Sequence, residues 1–179
     1  MLMIDIGVDV EAAGEPLEER LARGAMTFRE ALEIATKLAA ALRDLHAYGL
    51  EYGDLSARTV VLGSSGAFLA PRRALARRAD GQGDVTAFGE LMELVLDGAE
   101  TPRHLLALWA EAAGLAHRCL TQAPEIQQVL IPLRLLGMRA RMAPPAPPVD
   151  GTPGAGLGVR LKSPALPAAN ALLGSNPAS

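Results

Sequence analysis

A single cysteine, Cys119, stands in this 179-residue chain, so no internal disulfide can form. The three histidines, His46, His104 and His117, fall at no zinc-ligand spacing. Neither a metal site nor a cofactor is expected. A basic excess is missing too: 17 basic side chains face 20 acidic ones, for a net charge of −3 and a pI near 5.6. A protein that works by neutralising nucleic-acid phosphates needs the opposite balance, so no nucleic-acid partner is expected. No apolar run approaches the roughly 20 residues of a membrane-spanning helix. The opening MLMIDIGVDV carries two aspartates and no lysine or arginine, unlike a secretory leader. No membrane partner and a cytoplasmic location follow as expectations. Lysine is nearly absent: Lys37 and Lys162 stand beside 15 arginines, and alanine fills 33 positions, a habit of GC-rich, bacterial genomes. What remains, 50% hydrophobic and 21% charged with 3% aromatic, describes one soluble domain.

Composition shifts at Met142. Residues 143–179 hold eight of the 13 prolines, no aromatic and three charges, too little apolar surface to offset the entropy of ordering. That segment is expected to be a disordered, Pro/Ala-rich tail, and residues 1–142 to be the folded unit. Within the unit, TFRE from Thr27 is a capping box, with Thr27 receiving the Glu30 amide and Glu30 reaching back. Phe28, Ala31, Leu32, Ala35, Leu38, Ala39, Leu42 and Leu45 then recur at three and four, one apolar face of a long helix that Gly49 stops. A second, buried helix is expected from Asp84 to Gly98. Thr101 and Pro102 cap and open a third, with a possible break at Gly114. A fourth begins at Pro124 and is kinked by Pro132; Trp109 and Cys119 belong to the core. Strand signals are sparse: Ile4 to Val10, and Thr59 to Leu62 with Ala67 to Ala70 around the turn GSSG. The expected class is mainly α with one small β-hairpin.

Between the long helix and the hairpin lies EYGDLSARTVVL, which resembles the catalytic loop of protein kinases, His-Arg-Asp-Leu-Lys-Pro-x-Asn followed by apolar residues. Tyr52 takes the histidine place, Gly53 the arginine, Ser56 the lysine, Ala57 the proline and Thr59 the asparagine; Asp54 and Leu55 match. PLEERLARG is similar to the family's short helix after the hinge, and DVTAFGELMELVLDG to its central buried helix. Asp84 would then cap that helix and tie it to the loop backbone, a structural role. AHRCLTQAPE resembles the closing R-C-L-x-x-D-P segment, with Ala123 in place of the aspartate. The resemblance covers about residues 8–141 and implies a protein kinase-like helical C-lobe with the N-lobe absent.

The departures bear on chemistry. Phosphoryl transfer depends on holding ATP and its metal ions in place. The family's loop asparagine, a metal holder, is Thr59 here, and arginines follow the hairpin where an acidic metal ligand is expected. Only 26 residues precede the long helix, with no glycine-rich loop and no strand lysine. The loop residues Asp54, Ser56 and Thr59 therefore read as vestigial, with no catalytic residue expected to be active. Arg72, Arg73, Arg77 and Arg78 form a solvated run or a site for an anionic or acidic partner. His46 and His117 read as packing or surface residues.

The leading expectation is a pseudokinase-like binding, scaffold or regulatory module. Its protein partner, or a second copy, would use the apolar surface left by the missing N-lobe along Met1 to Val10 and the loop at Tyr52. The alternatives are the C-terminal half of a split or truncated Ser/Thr kinase with ATP-dependent phosphotransfer, Met1 being an internal start, and an unrelated helical adaptor.

Overall fold

In the computed structural model, residues 14–71, 76–77, 81–144 and 159–160 are described. The chain enters through β1 (Glu15–Pro16), α1 (Leu17–Ala22) and β2 (Met26–Thr27), then runs through α2 (Phe28–Ala47). Thr27 Oγ1 accepts the Glu30 amide at 3.2 Å, as the capping box requires. The second half of that box is different. Glu30 does not reach back to Thr27 but takes two bonds from Arg20 of α1, both at 3.1 Å, because a bidentate guanidinium outcompetes a neutral amide. The pair thereby staples α1 to α2. The far end of α2 closes at Gly49, whose φ of +69° only glycine adopts without strain.

Next come β3 (Leu50–Glu51), β4 (Val60–Gly63), β5 (Gly66–Leu69) and β6 (Ala76–Arg77). β4 and β5 form the expected hairpin, each strand offset by one residue from its sequence reading, with Ser64 and Ser65 as the turn between paired Gly63 and Gly66. It is not an isolated hairpin: β1 adds antiparallel to β4, giving the order β1-β4-β5. β6 pairs antiparallel with β3.

The second half holds α3 (Gln82–Asp97), β7 (Ala99–Thr101), a 3₁₀ turn (Arg103–Leu105), α4 (Leu106–Gln122), α5 (Ile126–Met142) and β8 (Val159–Arg160). α3 starts two residues before Asp84, capped by Gly81 in a left-handed conformation; the expected cap is thus inside the first turn. The Thr101 cap is also corrected. Its hydroxyl is buried without a partner among the described residues, and the 3₁₀ turn leads into α4 in its place. α4 passes Gly114 without a break, and α5 runs on across Pro132. In α4, packing of the apolar face outweighs the local breaker. β7 pairs in parallel with β2 and antiparallel with β8, so two residues of the segment expected to be a tail add a strand to the fold. The Ile4 to Val10 strand lies outside the described residues.

α3 packs chiefly on α4 and α2 on α5, with Phe28, Leu38, Leu42, Phe88, Met92 and Leu130 among the fully buried side chains between them. Trp109 and Cys119 are in this core. Burial pushes the Cys119 thiol up to about 11, leaving it a protonated, inert apolar group. Among the described residues no helix is long and apolar enough to cross a membrane. Gly114, by contrast, is exposed, and a Cβ there would meet nothing within 4 Å. Gly114→Ala should therefore stabilise the fold by about 0.5–1 kcal/mol, read as a higher urea midpoint.

Candidate functional site

The loop from Glu51 to Thr59 is held at three levels. At its base, Leu55 and Tyr52 are buried. The Tyr52 hydroxyl donates toward the carbonyls of Thr59, at 3.2 Å, and Ala70, at 3.0 Å, so the ring bridges the start and end of the hairpin. Tyr52 is 3% exposed. It therefore belongs to the core and not to an open apolar face, since its ring meets the hairpin that follows the loop.

At its crown, Thr59 closes the loop on itself. Its Oγ1 accepts the Ser56 amide at 2.9 Å and lies 2.8 Å from the Asp54 carbonyl, to which it donates. Ser56 and Thr59 are thus brought together, their hydroxyl oxygens 3.4 Å apart. Asp54 is exposed at the turn, and Gly53 before it has a φ of +78°. A side chain in the arginine place of the resembled motif would be strained at that angle.

Underneath, the loop is anchored by a residue in α3, 32 positions after Tyr52. Asp84 is 2% exposed. One carboxylate oxygen accepts the Tyr52 amide at 2.8 Å and His46 Nε2 at 3.0 Å; the other accepts the Gly53 amide at 2.8 Å. Because a carboxylate only accepts, His46 must carry its proton on Nε2. Its Nδ1 has no partner among the described residues. Three N–H donors converge on one buried carboxylate, which is how a charge in the interior is compensated. A further carboxylate, Glu51, accepts the Gly81 amide at 2.7 Å and joins the loop's first residue to the start of α3.

His46 reads from the sequence as a packing or surface residue and is buried; its bond to Asp84 is what that reading missed. His46 lies four positions after Leu42 on the apolar stripe of α2, and a histidine in an apolar stripe calls for a buried acceptor. His117, in contrast, is exposed on α4. Of the arginine run, Arg72, Arg73 and Arg78 lie outside the described residues, and of Arg77 only the backbone in β6 is described. Among the described residues no three His, Cys, Asp or Glu side chains are grouped to hold a metal ion. Two open grooves do occur, neither of them at the loop. One of about 460 Å³ lies between α4 and α5, and one of about 340 Å³ between α2 and α5. No protein-family model matches the chain, and no curated protein matches it.

Proposed function

We propose that this chain is a non-catalytic, protein kinase-like helical lobe that serves in the cytoplasm as a binding, scaffold or regulatory module, its partner being a protein or a second copy of the chain. The observation that carries the reading is the hold of the Asp84 carboxylate on the Tyr52 and Gly53 amides. It is the tie that the resemblance implies between the central helix and the loop, and two matching residues in a loop do not by themselves demand it. The non-catalytic part rests on Thr59. In the resembled family this position holds a metal ion; here its hydroxyl is engaged by the Ser56 amide and the Asp54 carbonyl. A threonine tied this way stabilises the turn but offers magnesium little, since the ion favours carboxylate and phosphate oxygens. Asp54, Ser56 and Thr59 then serve to shape the loop.

The test is a calorimetric titration of the full chain with ATP and magnesium, run beside a phosphotransfer assay on a generic Ser/Thr peptide. Neither binding heat nor labelled product is expected. Micromolar nucleotide binding, with transfer that disappears in Asp54→Asn, would overturn the reading and revive the split enzyme.

A further inference from the structure

The outward face of α5 carries a feature that the loop does not explain. Ile131, Leu135, Met138 and Met142 follow one another at four, three and four residues, one line along the helix, and are 52, 51, 48 and 84% exposed. The inward face is separate: Val129, Leu130, Leu133, Leu136 and Ala140 are buried against the rest of the fold. The helix is thus apolar on two sides, and only one side is covered by the described residues.

Charge flanks this stripe. The groove between α2 and α5 is lined by Arg29, Lys37, Arg134 and Arg141 against a single acid, Glu33. Lys37, Arg134 and Arg141 have no ion pair among the described residues. On the other side, the α4–α5 groove holds Arg118 and Arg139 against Glu111, and Glu111 is already bound by Arg139 at 2.6 and 3.0 Å. α5 itself contains three arginines and no acidic residue. A chain of net charge −3 therefore presents a distinctly basic face, with an apolar ridge along it and a groove on each side.

We infer that the α5 face is a docking site for an acidic amphipathic helix of a partner protein, an inference that rests on the binding-module reading above. The occupant's chemistry follows from complementarity. Its apolar residues, at three and four spacing, would lie along Ile131, Leu135, Met138 and Met142, and its carboxylates would meet Arg134, Arg141 and Lys37. The two methionines adapt to the shape of an incoming side chain. The stripe spans about 17 Å, so three helical turns of partner suffice to cover it. A basic, apolar helix face also suits an anionic membrane. Two observations favour the peptide: the ridge is bordered by grooves that would admit side chains, and it carries no tryptophan, tyrosine or phenylalanine, the residues that favour a lipid interface.

The experiment is a fluorescence-anisotropy titration of the full chain with a synthetic five-turn amphipathic peptide, leucines on one face and glutamates on its flanks. A twin peptide has lysine at every glutamate position. The glutamate peptide should bind at micromolar concentration and lose affinity as salt is raised, the lysine peptide should not bind, and Arg134→Glu with Arg141→Glu should weaken binding about tenfold or more. Leu135→Ser with Met138→Ser, both exposed sites, should weaken it several-fold while leaving the unfolding curve near that of the parent chain. Absence of binding, equal binding of both peptides, or indifference to both double variants overturns the proposal. So does flotation of the chain with phosphatidylserine vesicles that the glutamate peptide fails to displace, or a dimer in sedimentation that the charge reversal dissociates. Nucleotide binding on the same samples keeps the two readings apart. Peptide binding together with ATP turnover removes the non-catalytic reading and leaves the docking face; no peptide binding and no turnover does the reverse.

Discussion

Asp84→Ala should lower the free energy of unfolding by about 3–5 kcal/mol, the largest effect of any single polar substitution in the described fold. The carboxylate accepts the Tyr52 and Gly53 amides and the His46 ring from one buried position, and alanine leaves all three donors without acceptors. Gly53 is exposed and water can reach its amide; Tyr52 and His46 are buried, so the penalty falls mainly on them. Urea denaturation reads the change as a lower midpoint at nearly constant slope. Hydrogen exchange locates it, because the Tyr52 and Gly53 amides should lose protection beyond what the global loss accounts for. Asp84→Asn should fall between the two proteins, as its amide can accept on one side only and turns a donor toward another donor. A double-mutant cycle with His46→Ala should return a coupling energy above about 1 kcal/mol, since both singles break the same bond. A shift below about 1 kcal/mol in Asp84→Ala would show that the loop holds its shape without the anchor.

The same anchor shows how far the sequence reaches. α2 was readable because two independent signals agree at Thr27, a cap and an apolar period, and the helix forms between Phe28 and Ala47. The hairpin was readable from a turn flanked by two apolar runs. The Asp84 tie to the loop followed from resemblance alone; no periodicity brings position 84 to position 52. Where local rules failed, packing had overruled them. Gly114 is a breaker in isolation, yet it sits in a helix whose apolar face is buried along its length. Thr101 looked like a cap, but as the last residue of β7 it pairs with β8, and that pairing depends on residues that composition assigns to a tail. The two apolar sides of α5 were not separable in the sequence IPLRLLGMRARM, because a helical period does not say which side the fold covers.

Gly89→Val should destabilise the fold by about 3 kcal/mol, and it tests a close approach of α3 to α4. A glycine in the middle of a helix costs about 1 kcal/mol relative to alanine, so its presence at a buried position of α3 needs a compensating gain. That gain is proximity. A Cβ on residue 89 would lie 2.9 Å from the Cys119 Cβ, 3.0 Å from the Ala116 carbonyl oxygen and 3.1 Å from Leu120 Cδ2. Two of those three atoms belong to the backbone or stand next to it and cannot swing aside, so the helices must part. Parting them loosens contacts along the whole α3–α4 seam, from Phe88 and Met92 on one side to Ala112 and Cys119 on the other. Alanine should already be harmful despite its better helix propensity, with valine worse, whereas a substitution that only met flexible side chains would show the reverse for alanine. The Cys119 thiol reports the opening directly. It is buried and protonated in the parent fold, so it should react with a disulfide reagent only after unfolding. In Gly89→Val it should react measurably under native conditions. A Gly89→Ala protein with a higher urea midpoint and a silent thiol would mean that α3 and α4 have room to spare.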